Sequence, residues 1–251
     1  MIKAARHDHI LAELAIRGAI SVHDLAVLLG ASSATIRRDI VELDQIGMLL
    51  RTHGGAALRD RHQEIPYDAK VMAYFPEKRR IGAYAAAKIK AGTTVGCGGG
   101  TTVMQMIASI KRSQLHIVTT AVNVALELRD APNISVLLTG GLMRARTAEV
   151  VGHVCERTLR DINLDLAIIG VDGVHSDFGL TTYDGEEAYT NRVLIDRARE
   201  VWILADRSKL GQIRPAVIHD VAVASLLITD NGACPDQIAA IRKKGTEVIC
   251  V

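Results

Sequence analysis

Apolar positions in the first fifty residues recur at helical spacing and stop at glycines. Ile10, Leu11, Leu14 and Ala15 fall on one face of a helix over residues 7–17, with Gly18 behind it. Leu25, Ala26, Leu28 and Leu29 form the inner face of a second helix, capped by Ser21 and ended by Gly30. Asp24 stands three residues after that cap, where a capping box places an acid. Ile36, Ile40 and Leu43, at spacings of four and three, predict a third helix capped by Ser32 or Ser33. Met48, Leu49 and Leu50 read as a strand running into the turn Arg51-Thr52-His53-Gly54-Gly55. Two helices across a short turn, then a basic hairpin, are the layout of a DNA-reading winged helix-turn-helix.

The pattern then breaks. Residues 59–76 are polar, with Pro66, Pro76 and the charged run RDRHQE, and predict a linker. A helix resumes at Glu77, with Ile81, Tyr84, Ala85 and Ala87, and ends near Gly92. From Thr93 onward short apolar runs alternate with helical segments. The runs are 93–97, 115–120, 134–140, 164–171, 200–206, 224–230 and 247–251. Helices are predicted over 102–108, 122–128, 187–198 and 237–243. Fully apolar strands between helices indicate an α/β fold with a doubly wound, mostly parallel sheet. The expected division is a DNA-binding domain at 1–58, a linker at 59–76 and an effector and oligomerisation domain at 77–251.

Composition narrows the function classes. Aromatics are 3% of the chain, too few for the stacking platforms of a single-strand binder. The net charge of +2 identifies no polyanion partner, so any DNA surface must be local. Five of the nine histidines (His7, His9, His23, His53, His62) fall in the N-terminal quarter, where they add positive charge near a polyanion. Cys97, Cys155, Cys234 and Cys250 are scattered without CxxC or Cys/His spacing, so neither a disulfide framework nor a metal site is expected. The N-terminus lacks a signal-peptide apolar run, and no stretch reaches membrane-spanning length. The expected compartment is the reduced cytoplasm, with no cofactor and no membrane partner.

Chemistry can be assigned to two places. In the third helix, Ser33, Thr35, Arg37 and Arg38 lie off the apolar stripe. Short side chains near the helix start let the backbone approach a groove, and arginine forks onto guanine edges or phosphates. The competing reading is a solvated face, with Arg38 paired to Glu42 four residues on. The basic turn tips the balance: Arg51, Thr52, His53 and Gly54 suit a wing lying along the backbone or minor groove.

The second place is the carboxyl edge of the sheet, where such folds bind ligands. Gly98, Gly99, Gly100, Thr101 and Thr102 follow the first strand and open a helix. Thr120 follows the second, Gly140 and Gly141 the third, Asp172 the fourth and Lys209 the fifth, and Glu187 opens a helix. Glycine amides and a helix N-terminus suit a phosphate, Lys209 supplies a cation and the carboxylates suit hydroxyls. The bland reading is that these glycines only make tight turns, since GCGGGTT is neither a dinucleotide fingerprint nor a Walker loop. Cys97 beside the loop is either a redox handle or a small packing residue.

The segment TIRRDIVELDQIGMLLRTHGGA closely resembles the N-terminal signature of the DeoR family of bacterial transcriptional repressors. Thr35, Arg37, Arg38, Asp39, Leu43, Gly47, Arg51, His53, Gly54 and Gly55 are all in place. The resemblance implies that 32–44 is the recognition helix; Asp39 fits a structural role, since a carboxylate facing phosphates would be repelled. GGGTT, LLTGG, IIGVDG, GLTT, Glu187-Ala188 and LADRSKLG resemble the family's effector domain, which is related to ribose-5-phosphate isomerase and binds phosphorylated sugars. The chain departs from that pattern at Gly98, where an acid is usual, at Gly99 (Ser), at Thr120 (Asn) and at Asn191 (Lys).

The expected function is a repressor of a carbohydrate catabolism or transport operon. It would bind double-stranded operator DNA as a homodimer or homotetramer and leave it when a phosphorylated sugar binds. Two alternatives remain at this point. One is a sugar-phosphate isomerase-like enzyme using Asp172, Glu187 and Lys209 as an acid/base set. The other is an effector-independent oligomeric DNA-binding protein.

Overall fold

A computed structural model describes residues 3–45, 48–57, 64 and 67–251. Gly47 lies outside the described residues, and so do 58–63 and 65–66, which include His62 and Pro66 of the expected linker. The chain divides into two compact units, Met1–Ala73 and Tyr74–Val251.

The first unit contains α1 (Lys3–Arg17), β1 (Ala19–Ser21), α2 (Val22–Leu29), α3 (Ser33–Gln45), β2 (Leu50–Arg51), β3 (Gly55–Ala57) and α4 (Tyr67–Met72). The last of these lies inside the stretch that the proline pattern marks as linker. Ser21 caps α2 as its position predicts: its hydroxyl oxygen accepts from the Asp24 amide at 3.0 Å. Gly30 ends α2 in the left-handed region at φ 59°. Ile10, Leu14, Leu25, Leu29, Ile36, Ile40, Leu43 and Leu49 close one apolar core. The periodicity does not show β1, which pairs antiparallel with β3 and turns the hairpin into a three-stranded sheet of order β1-β3-β2.

The second unit begins with α5 (Phe75–Lys88), β4 (Thr94–Cys97), α6 (Thr101–Ser109), β5 (Leu115–Thr119), α7 (Val122–Leu128) and β6 (Ile134–Leu138). Pro76 lies in the first turn of α5, where its missing N–H costs nothing. A hairpin, β7 (Leu142–Arg144) and β8 (Glu149–Val151), leads to α8 (His153–Arg160). Then come β9 (Leu164–Gly170), β10 (Gly173–His175), β11 (Gly179–Thr182), α9 (Gly185–Asp196), β12 (Ala198–Leu204), β13 (Ala216–His219), β14 (Leu226–Thr229), α10 (Pro235–Lys243) and β15 (Glu247–Cys250).

All seven apolar runs of the sequence become one seven-stranded sheet of order β15-β14-β12-β9-β4-β5-β6, parallel at every pairing. Alternate residues feed two cores. Leu166, Ile168, Trp202 and Leu204 pack with Ile81 of α5, Met106 of α6 and Leu128 of α7. Ala167, Ile169, Val201 and Ile203 pack with Leu159 of α8, Leu194 of α9 and Ile241 of α10. Burial on both faces is why these strands read as continuous apolar runs rather than alternating ones. Among the described residues no helix is long and apolar enough to cross a membrane.

The strand order reverses between β4 and β9. From β4 the chain steps outward through β5 and β6, then returns to β9 on the other side. The Gly98–Gly100 loop leaves β4 at this switch point, the place where open α/β sheets leave a crevice.

Candidate functional site

Helix α3 buries one face and exposes the other. Ser32 is the cap: its hydroxyl oxygen accepts from the Thr35 amide at 3.2 Å, which leaves Ser33 in the first turn. Ile36, Ile40 and Leu43 are buried, while Ser33, Arg37 and Arg38 are exposed and Thr35 is half-buried. Neither arginine forms an ion pair with a described residue. Glu42 does not take Arg38; it pairs with Lys3 at 2.5 Å and approaches His7 at 3.7 Å.

Asp39 faces inward, 3% exposed. Arg6 of α1 donates to it twice, Nε at 2.5 Å and Nη2 at 3.0 Å, and His7 Nε2 lies 3.1 Å away. Burial pushes the Asp39 carboxyl up, but the hydrogen bonds from Arg6 and His7 outweigh it and hold the group below its usual range. The carboxylate ties α3 to α1.

Arg51, Thr52, His53 and Gly54 are all exposed at the tip of the β2–β3 hairpin. The tip is anchored at both ends. The Arg51 amide donates to Asp44 Oδ1 at 3.1 Å, at the end of α3, and the Val22 amide donates to the Gly54 carbonyl at 2.9 Å. A Cβ on Gly55 would collide with the Ile20 carbonyl oxygen, so only glycine lets β3 lie against β1.

In the second unit, two groups of the expected ligand residues are drawn together. The first surrounds the glycine loop. Gly98 and Gly99 are buried, and Thr101 and Thr102, also buried, open α6 behind Gly100. A Cβ on Gly98 would lie 2.8 Å from Glu149 Oε1, 3.7 Å from Asn191 Oδ1 and 4.0 Å from Thr120 Oγ1. The Gly99 amide donates to Glu149 Oε1 at 2.5 Å.

The second group is charged. Thr182 Oγ1 lies 2.8 Å from Glu187 Oε1 and 3.3 Å from Asp172 Oδ2. Lys209 Nζ stands 3.6 Å from Asp172 Oδ1. Arg144 Nη1 bonds Glu187 Oε2, and its Nη2 lies 3.4 Å from Asp184 Oδ2. Helix α9 connects the groups, because Glu187 and Asn191 are four residues apart on one face. Asp184 caps that helix by accepting from the amides of Glu186 and Glu187 at 3.0 and 2.9 Å.

Gly140 and Gly141 lie between β6 and β7. A Cβ on Gly141 would meet Val151 O at 2.7 Å and Cys155 Cβ at 3.3 Å, so its neighbours are β8 and α8. With φ of 75° and 129°, these two glycines make the turn into the β7–β8 hairpin. Cys97 is fully buried and burial pushes its thiol up to about 12, which leaves the packing reading and removes the redox one.

The sequence pattern overlooks Arg144 and Glu149. Both sit on β7–β8, paired with each other in register. An Arg and a Glu five residues apart in a non-periodic stretch carry no signal until the hairpin is seen.

Comparison with known proteins agrees with this division. Residues 6–62 match the DeoR-like helix-turn-helix domain, and residues 75–231 match the DeoR C terminal sensor domain. The chain is 31% identical over 231 residues to the glycerol-3-phosphate regulon repressor of Escherichia coli (strain K12), covering 92% of each chain. It is 32% identical over 251 residues to the HTH-type transcriptional regulator GlpR of Haloferax volcanii, covering 99% of this chain and 98% of that one. Among solved structures, ribose 5-phosphate isomerase A from Methanocaldococcus jannaschii is similar over 55% of each chain, at 17% identity and a TM-score of 0.41. That is too slight a likeness to carry function.

Proposed function

Because the chain belongs to the DeoR family of transcriptional regulators, we propose that it represses a carbohydrate catabolism or transport operon and is released from its operator by a phosphorylated sugar. The observation that carries the DNA half is on α3: Arg37 and Arg38 project from a helix whose opposite face is fully buried. Ser33, Thr35, Arg37 and Arg38 take the major groove, and Arg51, Thr52, His53 and Gly54 take the flanking backbone or minor groove. One copy reads one half-site, so the working form is a homodimer or homotetramer on a two-fold operator, in the cytoplasm.

The sensing half rests on the switch-point cluster. Gly98–Thr102 and Thr120 form the phosphate end, while Asp172, Glu187 and Lys209, joined by Arg144 and Thr182, form the hydroxyl end. We read Asp172, Glu187 and Lys209 as binding groups and not as an acid/base set. Residues 1–58 then act as the reader, 59–76 as the connection and 77–251 as the sensing and assembling domain. Binding of effector favours an arrangement in which two readers no longer match two half-sites, a coupling of about 1–3 kcal/mol.

Gel shifts with the promoter fragment next to the gene, with and without a panel of phosphorylated sugars, test both halves. The expected result is a shifted band at low salt that one member of the panel dissolves. No shift at low salt would overturn the reading.

A further inference from the structure

The glycine loop already holds a carboxyl group, and it is part of the chain. Glu149 is 7% exposed, and its Oε1 accepts the Gly99 amide at 2.5 Å. It enters from outside the parallel sheet, on β8. The backbone on either side is pinned, since the Val122 amide donates to Ala148 O at 2.9 Å and the Val150 amide to Thr120 O at 2.7 Å. The carboxylate therefore reaches the loop through its own side chain, from a fixed base. Gly98 makes room for it: a Cβ there would stand 2.8 Å from Oε1. At Gly99 a Cβ would first meet Ala121 Cβ at 2.6 Å and Asn123 Oδ1 at 3.0 Å, with Glu149 Cγ at 3.3 Å, so the loop is tight against its neighbours on that side.

From this geometry we propose that Glu149 is a tethered competitor for the effector's phosphate, occupying the Gly99 amide until a stronger anion displaces it. The inference rests on the reading of Gly98–Thr102 as the phosphate end of the effector site. A phosphate oxygen and a carboxylate oxygen seek the same N–H groups, and two anions a few ångströms apart in a buried site repel. Binding must therefore swing the Glu149 side chain off the Gly99 amide. Glu149 thus sets the effector concentration at which the sensor responds.

The test is thermal unfolding of the full chain against inorganic phosphate, at constant ionic strength held with chloride. Wild type, Glu149→Gln and Glu149→Ser are compared, with circular dichroism confirming that each folds. Both Glu149 variants are expected to be stabilised at about tenfold lower phosphate than wild type. Equal midpoints in wild type and both Glu149 variants would overturn the proposal and leave the phosphate site standing. Higher midpoints in the variants would also overturn it, making Glu149 a ligand of the effector. No response from any of the three proteins would overturn the phosphate site itself, and the competitor with it.

Discussion

Arg6 and Asp39 form a two-pronged pair between the first and third helices, with contacts of 2.5 and 3.0 Å. The carboxylate is buried on the inner side of α3, so the pair holds that helix, with its exposed arginines, against α1. Its folded-state titration lies below the ordinary carboxylate value, because hydrogen bonds from Arg6 and His7 outweigh the effect of burial. The sign follows. A depressed carboxylate contributes stability that is complete above the unfolded value of about 4 and is lost as pH falls through the folded value. Asp39→Asn should weaken the first unit at neutral pH and flatten its loss of stability in acid. Amide hydrogen exchange along Ser33–Gln45 in the full chain, at neutral pH and at several pH values below about 4, measures both effects. Equal exchange rates in wild type and variant would show that the pair does not hold the helix.

Arg37 and Arg38 are exposed, so replacing either should leave the fold alone and act on DNA. Loss of a bidentate base contact costs about 1–3 kcal/mol, or roughly tenfold to hundredfold in affinity, and relaxes the sequence requirement at one base pair. Loss of a phosphate contact weakens all sequences alike and lowers the salt slope by about one. Titrating Arg37→Ala and Arg38→Ala with operator and with unrelated DNA at several salt concentrations assigns a role to each. Unchanged affinity in both variants would remove the helix from the interface.

The wing offers an internal control. Gly54 has open space where a Cβ would go, whereas at Gly55 a Cβ would collide with backbone at Ile20 and Ser21. Gly55→Ala must push β3 off β1, an overpacking cost of about 1–3 kcal/mol or more, and should abolish operator binding. Gly54→Ala should fold normally and lose affinity only as far as its side chain crowds the DNA. Thermal unfolding and gel shifts on the two variants check this contrast; similar damage from both would contradict the packing at Gly55.

What the sequence disclosed follows from where each element finds its partners. Ile168, Ile169, Ile203 and Leu204 lie in strands buried on both faces, and a run of apolar residues announces such a strand without reference to anything else. Ile36, Ile40 and Leu43 mark α3 in the same self-sufficient way. The β7–β8 hairpin has no such mark. Its strands are three residues long, Leu142 and Met143 are exposed, and β8 is held by bonds to residues 120 and 122. Arg144 and Glu149 were therefore invisible until the chain was folded, although each meets a residue that the sequence had singled out.

Thr182 links the two carboxylates of the charged group, and a hydroxyl has one proton to give. It donates to Glu187 at the shorter distance of 2.8 Å, while Asp172 has Lys209 at 3.6 Å. Thr182→Val keeps the shape and removes the proton. The cost in stability should be about 1 kcal/mol, the worth of one such hydrogen bond. Arg144→Ala should do more, because it strips a guanidinium from Glu187 and from Asp184 together. Both variants should bind operator as wild type does in the absence of effector, since neither residue belongs to the reading unit. Both should need more phosphorylated sugar to release it, with Arg144→Ala shifted further. An effector titration of the gel-shift complex reads this order directly. Wild-type release by Arg144→Ala would place the effector elsewhere than at Glu187.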